Sequence, residues 1–222
     1  MQNSQPIPDQ VMEVLQSAST GMVMDALAML GIDGGLPDIR PARGFEDAKI
    51  VGRASTMLFA QARPDVPKLT TYDLIEHFQA GTILVIEGKG MNRHWAGDNV
   101  GSFSKSKGLV GAVIWGCARD LAGWREAGMP VYCTGLATKD KPSNLRVVAG
   151  NVPVDIGDVT VRPGDIIVAD EDGVVCVPIE AVEQLVEKMK ILFEVEDGMQ
   201  RAIKRGTTGA ELSPIIAKKK VK

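Results

Sequence analysis

Asp98, twenty intervening residues and then the pair Arg119-Asp120 form the spacing with the clearest chemical content in this chain. A guanidinium offers a rigid fork of donors that matches a carboxylate, so Arg119 is suited to holding a small organic acid. Asp120 is a hard oxygen ligand, suited to a magnesium ion that keeps several waters, or to manganese. Asp98 could orient a water or act directly as acid or base. It also opens a predicted helix, whose first amides at Asn99, Val100 and Gly101 and positive dipole end favour an anion. Gly97 and Gly101 let the backbone approach a ligand closely. Together these groups suit a 2-oxo acid. A divalent ion would act as Lewis acid on its carbonyl and stabilise the enolate left when a neighbouring carbon-carbon bond breaks. Taken singly, each residue has an ordinary reading, Asp98 as a helix cap and Arg119-Asp120 as a surface ion pair. Their joint placement favours a site.

The elements that must position these residues can be read from periodicity. Thr82 to Glu87, Leu109 to Trp115 and Met129 to Cys133 are apolar runs of strand length, as expected for strands covered on both faces. Asp98 to Lys107 and Leu121 to Ala127 read as the helices between them. This βαβαβ succession predicts a parallel sheet with right-handed crossovers, and ligands of such sheets bind beyond the carboxyl ends of the strands. Earlier, helices are expected over Asp9 to Gln16, capped by Asp9, and from Ser19 or Thr20 to Leu30, stopped by Gly31. A loop is expected from Gly34 to Phe45, a strand over Ala48 to Phe59, a short helix over Asp73 to Gln79 and a polar loop from Gly88 to Gly97. After about residue 135 short β-rich pieces follow, including a hairpin from Ile166 to Pro178 turning at Asp172-Gly173. A long helix then runs to about Lys204, with Val182, Leu185, Val186, Met189, Leu192 and Phe193 on one face.

Composition bounds the class. Over 222 residues, 45% are hydrophobic and 24% charged, with a formal charge of -3, values ordinary for a globular protein. The charge does not suggest a nucleic-acid binder, and the lysines at 218, 219, 220 and 222 read as a solvated tail. No apolar run approaches the roughly 20 residues of a membrane helix. The cysteines, Cys117, Cys133 and Cys176, have no metal-binding spacing. Their odd number, with no recognisable signal peptide, points to a reducing, cytoplasmic setting. The histidines, His77 and His94, form no ligand pair.

The segment Gly97-Asp98-Asn99 through Val113-Ile114-Trp115-Gly116-Cys117-Ala118-Arg119-Asp120 resembles the signature of the 4-hydroxy-4-methyl-2-oxoglutarate aldolase family, which also contains noncatalytic regulators of ribonuclease E activity. Asp25-Ala26-Leu27, Val51-Gly52-Arg53-Ala54, Pro163-Gly164-Asp165 and Asp170-Glu171-Asp172-Gly173-Val174 resemble other family segments, so the likeness spans roughly residues 19 to 210. It implies an α/β domain there, preceded by an N-terminal lead-in and helix over 1 to 18 and followed by a tail over 211 to 222. The implied fold has a central parallel βαβαβ unit and a β-rich C-terminal half closed by a long helix, of the phosphohistidine-domain-like, swivelling β/β/α kind.

The resemblance implies a class II pyruvate aldolase that cleaves 4-hydroxy-2-oxo acids and also decarboxylates oxaloacetate. Asp120 would be the direct Mg2+ (or Mn2+) ligand. Arg119 would bind the pyruvyl portion and stabilise its enolate, amides near Gly97, Asn99 and Val100 would hold its carboxylate, and Asp98 would position a catalytic water. Glu196 resembles a glutamate that reaches a neighbouring subunit's site in a homotrimer or hexamer, with Glu194 and Asp197 as near competitors. The implied partner is a small 2-oxo acid, with no nucleic acid and no membrane. The chain departs from the family at Trp115, where many members have an aspartate. An indole there is expected to pack against the sheet, and the departure bears on the substrate more than on the metal. Two alternatives remain beside the aldolase: a noncatalytic ribonuclease-regulating protein, and a related metal-dependent lyase acting on a sugar-derived substrate.

Overall fold

The computed structural model describes residues 7–61 and 68–220. In chain order, α1 (Asp9–Ser17) and α2 (Thr20–Met29) precede β1 (Gly35–Leu36), β2 (Arg40–Pro41), β3 (Ile50–Gln61), α3 (Thr71–Ile75), β4 (Ile83–Glu87) and β5 (His94–Ala96). Next come α4 (Asp98–Ser106), β6 (Gly111–Ala118), α5 (Leu121–Glu126), β7 (Val131–Leu136) and β8 (Leu145–Gly150). The chain ends with β9 (Val154–Ile156), β10 (Val159–Val161), β11 (Ile166–Asp170), β12 (Gly173–Val177), α6 (Val182–Lys204) and α7 (Gly209–Ala217).

One mixed sheet runs in the order β1-β12-β11-β3-β4-β6-β7-β2, with β5 beside β6 and β8 beside β3. The strands β3, β4, β6 and β7 are mutually parallel, as their apolar runs predict. The β-rich C-terminal half joins this sheet: β11 pairs antiparallel with the first half of β3, and β8 with its second half. Among the described residues, only the β9-β10 hairpin pairs apart from it. All five residues of β4 are buried, because α3, α4 and α5 cover one face and the hairpin side covers the other. Leu84, Ile86, Ala112 and Ile114 meet Val100, Leu121 and Trp124; Ile83, Val85 and Val113 meet Val154, Ile156 and Val161. A separate cluster joins Leu15, Val23, Leu27, Leu185, Met189 and Leu192 to Val51, Val168 and Val175. This apolar stripe orders α6, and Leu192→Ala would cost about 2–5 kcal/mol.

Several expectations need correction. The loop from Gly34 to Phe45 contains β1 and β2, which form because the edge strands β12 and β7 offer them unpaired backbone groups. The loop from Gly88 to Gly97 contains β5, parallel to β6. Asp9 does not cap α1; Pro8 occupies that position and no side chain caps it. Of the lead-in, Ile7 is buried against the α1-α2-α6 cluster, while residues 1–6 lie outside the described residues. The C-terminal tail is not simply solvated either. Glu211 and Thr208 form a capping box that starts α7, and Lys219 bonds Asp25 Oδ2 at 3.0 Å and Glu196 Oε1 at 2.7 Å. Residues 221–222, with Lys222, lie outside the described residues.

Candidate active site

Two parallel strands deliver the site. In β5 and β6, Ala96 lies opposite Ala118, and the Arg119 amide donates to the Ala96 carbonyl at 3.1 Å. The turns that follow, Gly97-Asp98 and Arg119-Asp120, therefore leave the sheet side by side. A Cβ on Gly97 would stand 2.9 Å from Asp120 Oδ2 and 3.2 Å from Arg119 Nε, so a larger residue there would push the charged pair out of its present position. Behind them α4 and α5 approach through small residues. A Cβ on Gly101 would stand 2.6 Å from the Trp124 ring, and one on Gly123 would stand 2.6 Å from Asp98 Oδ2. Trp124 is fully buried and donates its indole N-H to the Arg119 carbonyl at 3.0 Å, fixing the turn.

Arg119 Nε forms an ion pair with Asp120 Oδ2 at 3.0 Å, with both side chains about half exposed. Asp120 holds a left-handed backbone, φ 55° and ψ 45°, at the start of α5. That conformation is costly for most residues and more readily adopted by Asp, Asn and Gly. Gly97 is the cap of α4 and Asp98 its first helical residue. The expectation of free amides changes here. The Asn99 amide donates to Asp98 Oδ1 at 2.8 Å, and the Val100 and Gly101 amides both donate to the Gly97 carbonyl, at 3.1 and 3.3 Å.

An open cleft of about 310 Å³ is lined by Arg119, Asp120, Leu121, Leu136, Ala137 and Thr138. Gly97, Asp98, Asn99 and Val100 stand next to it rather than in its lining. The structure thus gathers Gly97, Asp98, Arg119 and Asp120, and leaves Glu196 out of the group, paired instead to Lys219. Leu136 to Thr138 were not foreseen, since the end of an apolar strand carries no mark that it lines a cleft. His94 and Arg93 face the segment after β7: His94 Nε2 lies 3.4 Å from Asp140 Oδ1, and Arg93 donates to the Asp140 carbonyl at 3.2 Å. Trp115 packs as expected. A Cβ on Gly90 would stand 3.2 Å from its ring, and it belongs to the Val85-Val113 side of the sheet.

Among the described residues no group of three or more His, Cys, Asp or Glu side chains could cage a metal ion. The metal-donor set in the cleft lining is the single half-exposed carboxylate of Asp120, with no nitrogen or sulfur ligand among the lining residues. It fits a magnesium-like ion that retains most of its water, and does not fit a zinc site.

Residues 20–176 match the RraA-like family, described as Aldolase/RraA. The chain belongs to this RraA-like family. It is 31% identical over 160 residues to a candidate 4-hydroxy-4-methyl-2-oxoglutarate aldolase of Halalkalibacterium halodurans, covering 71% of this chain and 73% of that protein. It is 28% identical over 204 residues to protein DlpA of Legionella pneumophila, covering 89% of this chain but spanning only 32% of DlpA's length. Among solved structures, Streptomyces coelicolor RraAS2, described as an unusual member of the RNase ES inhibitor RraA family, superposes with a TM-score of 0.79 at 30% identity. The match covers 90% of this chain and all of that one. The family segments outside the cleft have structural roles. Asp170 accepts from the Thr20 amide and hydroxyl at the start of α2, at 2.7 and 2.6 Å. The buried Asp165 accepts from the Arg162 and Ile179 amides at 2.8 and 3.0 Å. No helix among the described residues is long and apolar enough to cross a membrane.

Proposed function

We propose that this protein is a divalent-metal-dependent carbon-carbon lyase that releases pyruvate from 4-hydroxy-2-oxo acids, with decarboxylation of oxaloacetate as a side activity. The observation that carries the reading is the Arg119-Asp120 pair, 3.0 Å apart at a cleft mouth and held against the Gly97-Asp98 turn. Asp120 would hold Mg2+ or Mn2+, whose contribution when bound is Lewis-acid polarisation of the substrate carbonyl.

The protein's own groups account for the rest. Arg119 binds the pyruvyl part and offers its remaining N-H donors to the negative charge that develops on the carbonyl oxygen as the C3-C4 bond breaks. The substrate carboxylate takes the Asn99 amide, displacing Asp98 Oδ1 from it. Asp98, released, accepts the C4 hydroxyl proton directly or through a water, and that proton is later returned to C3 of the product. Assembly as a homotrimer or hexamer, with Glu196 reaching a neighbouring cleft, belongs to the same proposal, and light scattering measures it directly.

The test is pyruvate release from oxaloacetate and from 4-hydroxy-4-methyl-2-oxoglutarate with Mg2+ or Mn2+ present. Asp120→Asn, which keeps the left-handed turn, should bring release down to the metal-only background. No release above background from the parent protein would remove the lyase reading. The similarity to RraAS2 supports a second reading, a ribonuclease-binding regulator. Capture of a ribonuclease E-type partner together with absent lyase activity would establish it instead.

A further inference from the structure

β7 pairs along one flank of β6 as far as Ala118, which lies opposite Leu136. β5 takes the other flank, with His94 opposite Cys117. The chain that leaves β7 crosses between these flanks. The Ala137 amide donates to the Ala118 carbonyl at 3.1 Å, and a short way on the Lys139 carbonyl accepts from the His94 amide at 2.9 Å. His94 and Asp140 then form a parallel bridge. Residues 137–140 are thus a strap across the end of β6, where Arg119 and Asp120 follow, and Ala137 and Thr138 of the strap line the cleft.

The far end of the strap is fastened by charge. The His94 side chain is only 7% exposed, and its Nε2 lies 3.4 Å from Asp140 Oδ1. That separation exceeds an ordinary N-H···O bond, so the contact owes its strength to charge. A neutral imidazole offers it little, and an imidazolium makes it an ion pair. The other ring nitrogen, Nδ1, is buried with no hydrogen-bond partner among the described residues, which leaves Asp140 as the polar group the ring meets.

The charges around this contact are few. Lys141 reaches Asp140 Oδ1 through its amide at 2.8 Å and its Nζ at 3.4 Å, and Arg93 donates to the Asp140 carbonyl at 3.2 Å. Cys117, behind His94 in β6, gives its thiol to Asn92 Oδ1 at 3.3 Å. Desolvation works to raise the Asp140 carboxyl, but Lys141 and His94 outweigh it and hold it below the ordinary 3.8. Between about pH 5 and 8, then, the side chain type here that changes its charge is the imidazole.

We propose that His94 is a positioning residue for the cleft: its imidazolium draws Asp140 in and closes the strap, and its neutral form leaves the strap to Arg93 and the backbone bonds. The inference goes beyond the lyase reading, because a strap at the cleft mouth acts on any ligand held there.

Hydrogen exchange at the His94 and Ala137 amides, corrected for the intrinsic pH dependence of exchange, reads the strap with no ligand present. Protection should fall about 5-fold from about pH 5 to pH 8, the effect of an ion pair at the upper end of the surface range, in step with the His94 ring titration followed by NMR. Asp140 is 67% exposed, so substitutions there leave the core intact. Asp140→Asn should abolish the step and Asp140→Glu should keep it. In the lyase assay with Mg2+, KM for oxaloacetate should rise by a similar factor over that interval in the parent and in Asp140→Glu, and stay level in Asp140→Asn, with kcat following one profile in all three. Protection without a step in the parent, or a step that survives Asp140→Asn, would overturn the proposal. An intact step without pyruvate release would remove the lyase reading and leave the strap standing.

Discussion

Asp98 packs directly on Gly123, where a Cβ would stand 2.5 Å from the Asp98 Cβ and 2.6 Å from its Oδ2. The position of the candidate acid-base carboxylate is thus set by the absence of a side chain on the neighbouring helix. Gly123→Ala should force α4 and α5 apart, at about 1–3 kcal/mol as for other overpacked contacts, and lower pyruvate release with it. Thermal melts and kinetics on the same preparation check both effects. A variant with parental melting temperature and parental turnover would show that the contact yields without consequence.

Arg119→Lys keeps the charge and loses the planar fork. The ion pair it weakens is half exposed, so stability should change by less than about 1 kcal/mol. Turnover should fall by about 10²-fold, the range seen when one donor to developing charge is removed. Turnover within a factor of two of the parent would argue that Arg119 is not the group that meets the oxyanion.

Glu87 ends β4 with its side chain buried and Lys89 Nζ 3.0 Å from Oε1 and 3.1 Å from Oε2. Burial pushes its carboxyl above the ordinary value of 4.5, Lys89 opposes this, and Asp155 adds to it. Because the folded value is raised, the stability this group contributes is fully present below about pH 4.5 and is lost as pH climbs through the raised value. Glu87→Gln has no such loss, so it should gain on the parent protein between about pH 4.5 and neutrality. Melting both proteins across that window tests the sign, and a constant difference would refute it.

Lys219 sits between Glu196 and Asp25, and these hydrogen bonds raise its ammonium above the ordinary value of 10.5. Its contribution is fully present below that value and disappears as pH rises through the raised one. Asp25 is more than half exposed, so Lys219→Met should cost no more than about 1 kcal/mol at neutral pH. Melts at neutral pH and above about pH 11 should show the cost and then its disappearance. A penalty that persists at high pH would assign Lys219 a packing role instead.

The parts of this fold legible in sequence are those built from local repetition. The runs through Val85, Val113 and Val131 fix parallel strands, and the apolar stripe from Val182 to Leu192 fixes α6. The close spacing of Gly97-Asp98 and Arg119-Asp120 survives because a βαβ path returns both turns to one edge. What was not legible depends on distant partners. The two residues of β1 become a strand only beside β12, and Lys219 finds Asp25 from the opposite end of the chain. Leu136 looks like any strand residue until the cleft is formed. The Asn99 amide looks free until Asp98 is seen to turn back on it.

The left-handed turn at Asp120 also constrains how this protein can change over generations. Asp, Asn and Gly are the residues that occupy such a turn at least cost, and single base changes connect an Asp codon to both alternatives. A lineage could therefore lose the carboxylate while α5, the Trp124 bond to the Arg119 carbonyl and the sheet behind them stay in place. In a family described as both aldolase and RraA, this one backbone conformation lets the cleft's carboxylate be exchanged while the turn that carries it stays in place.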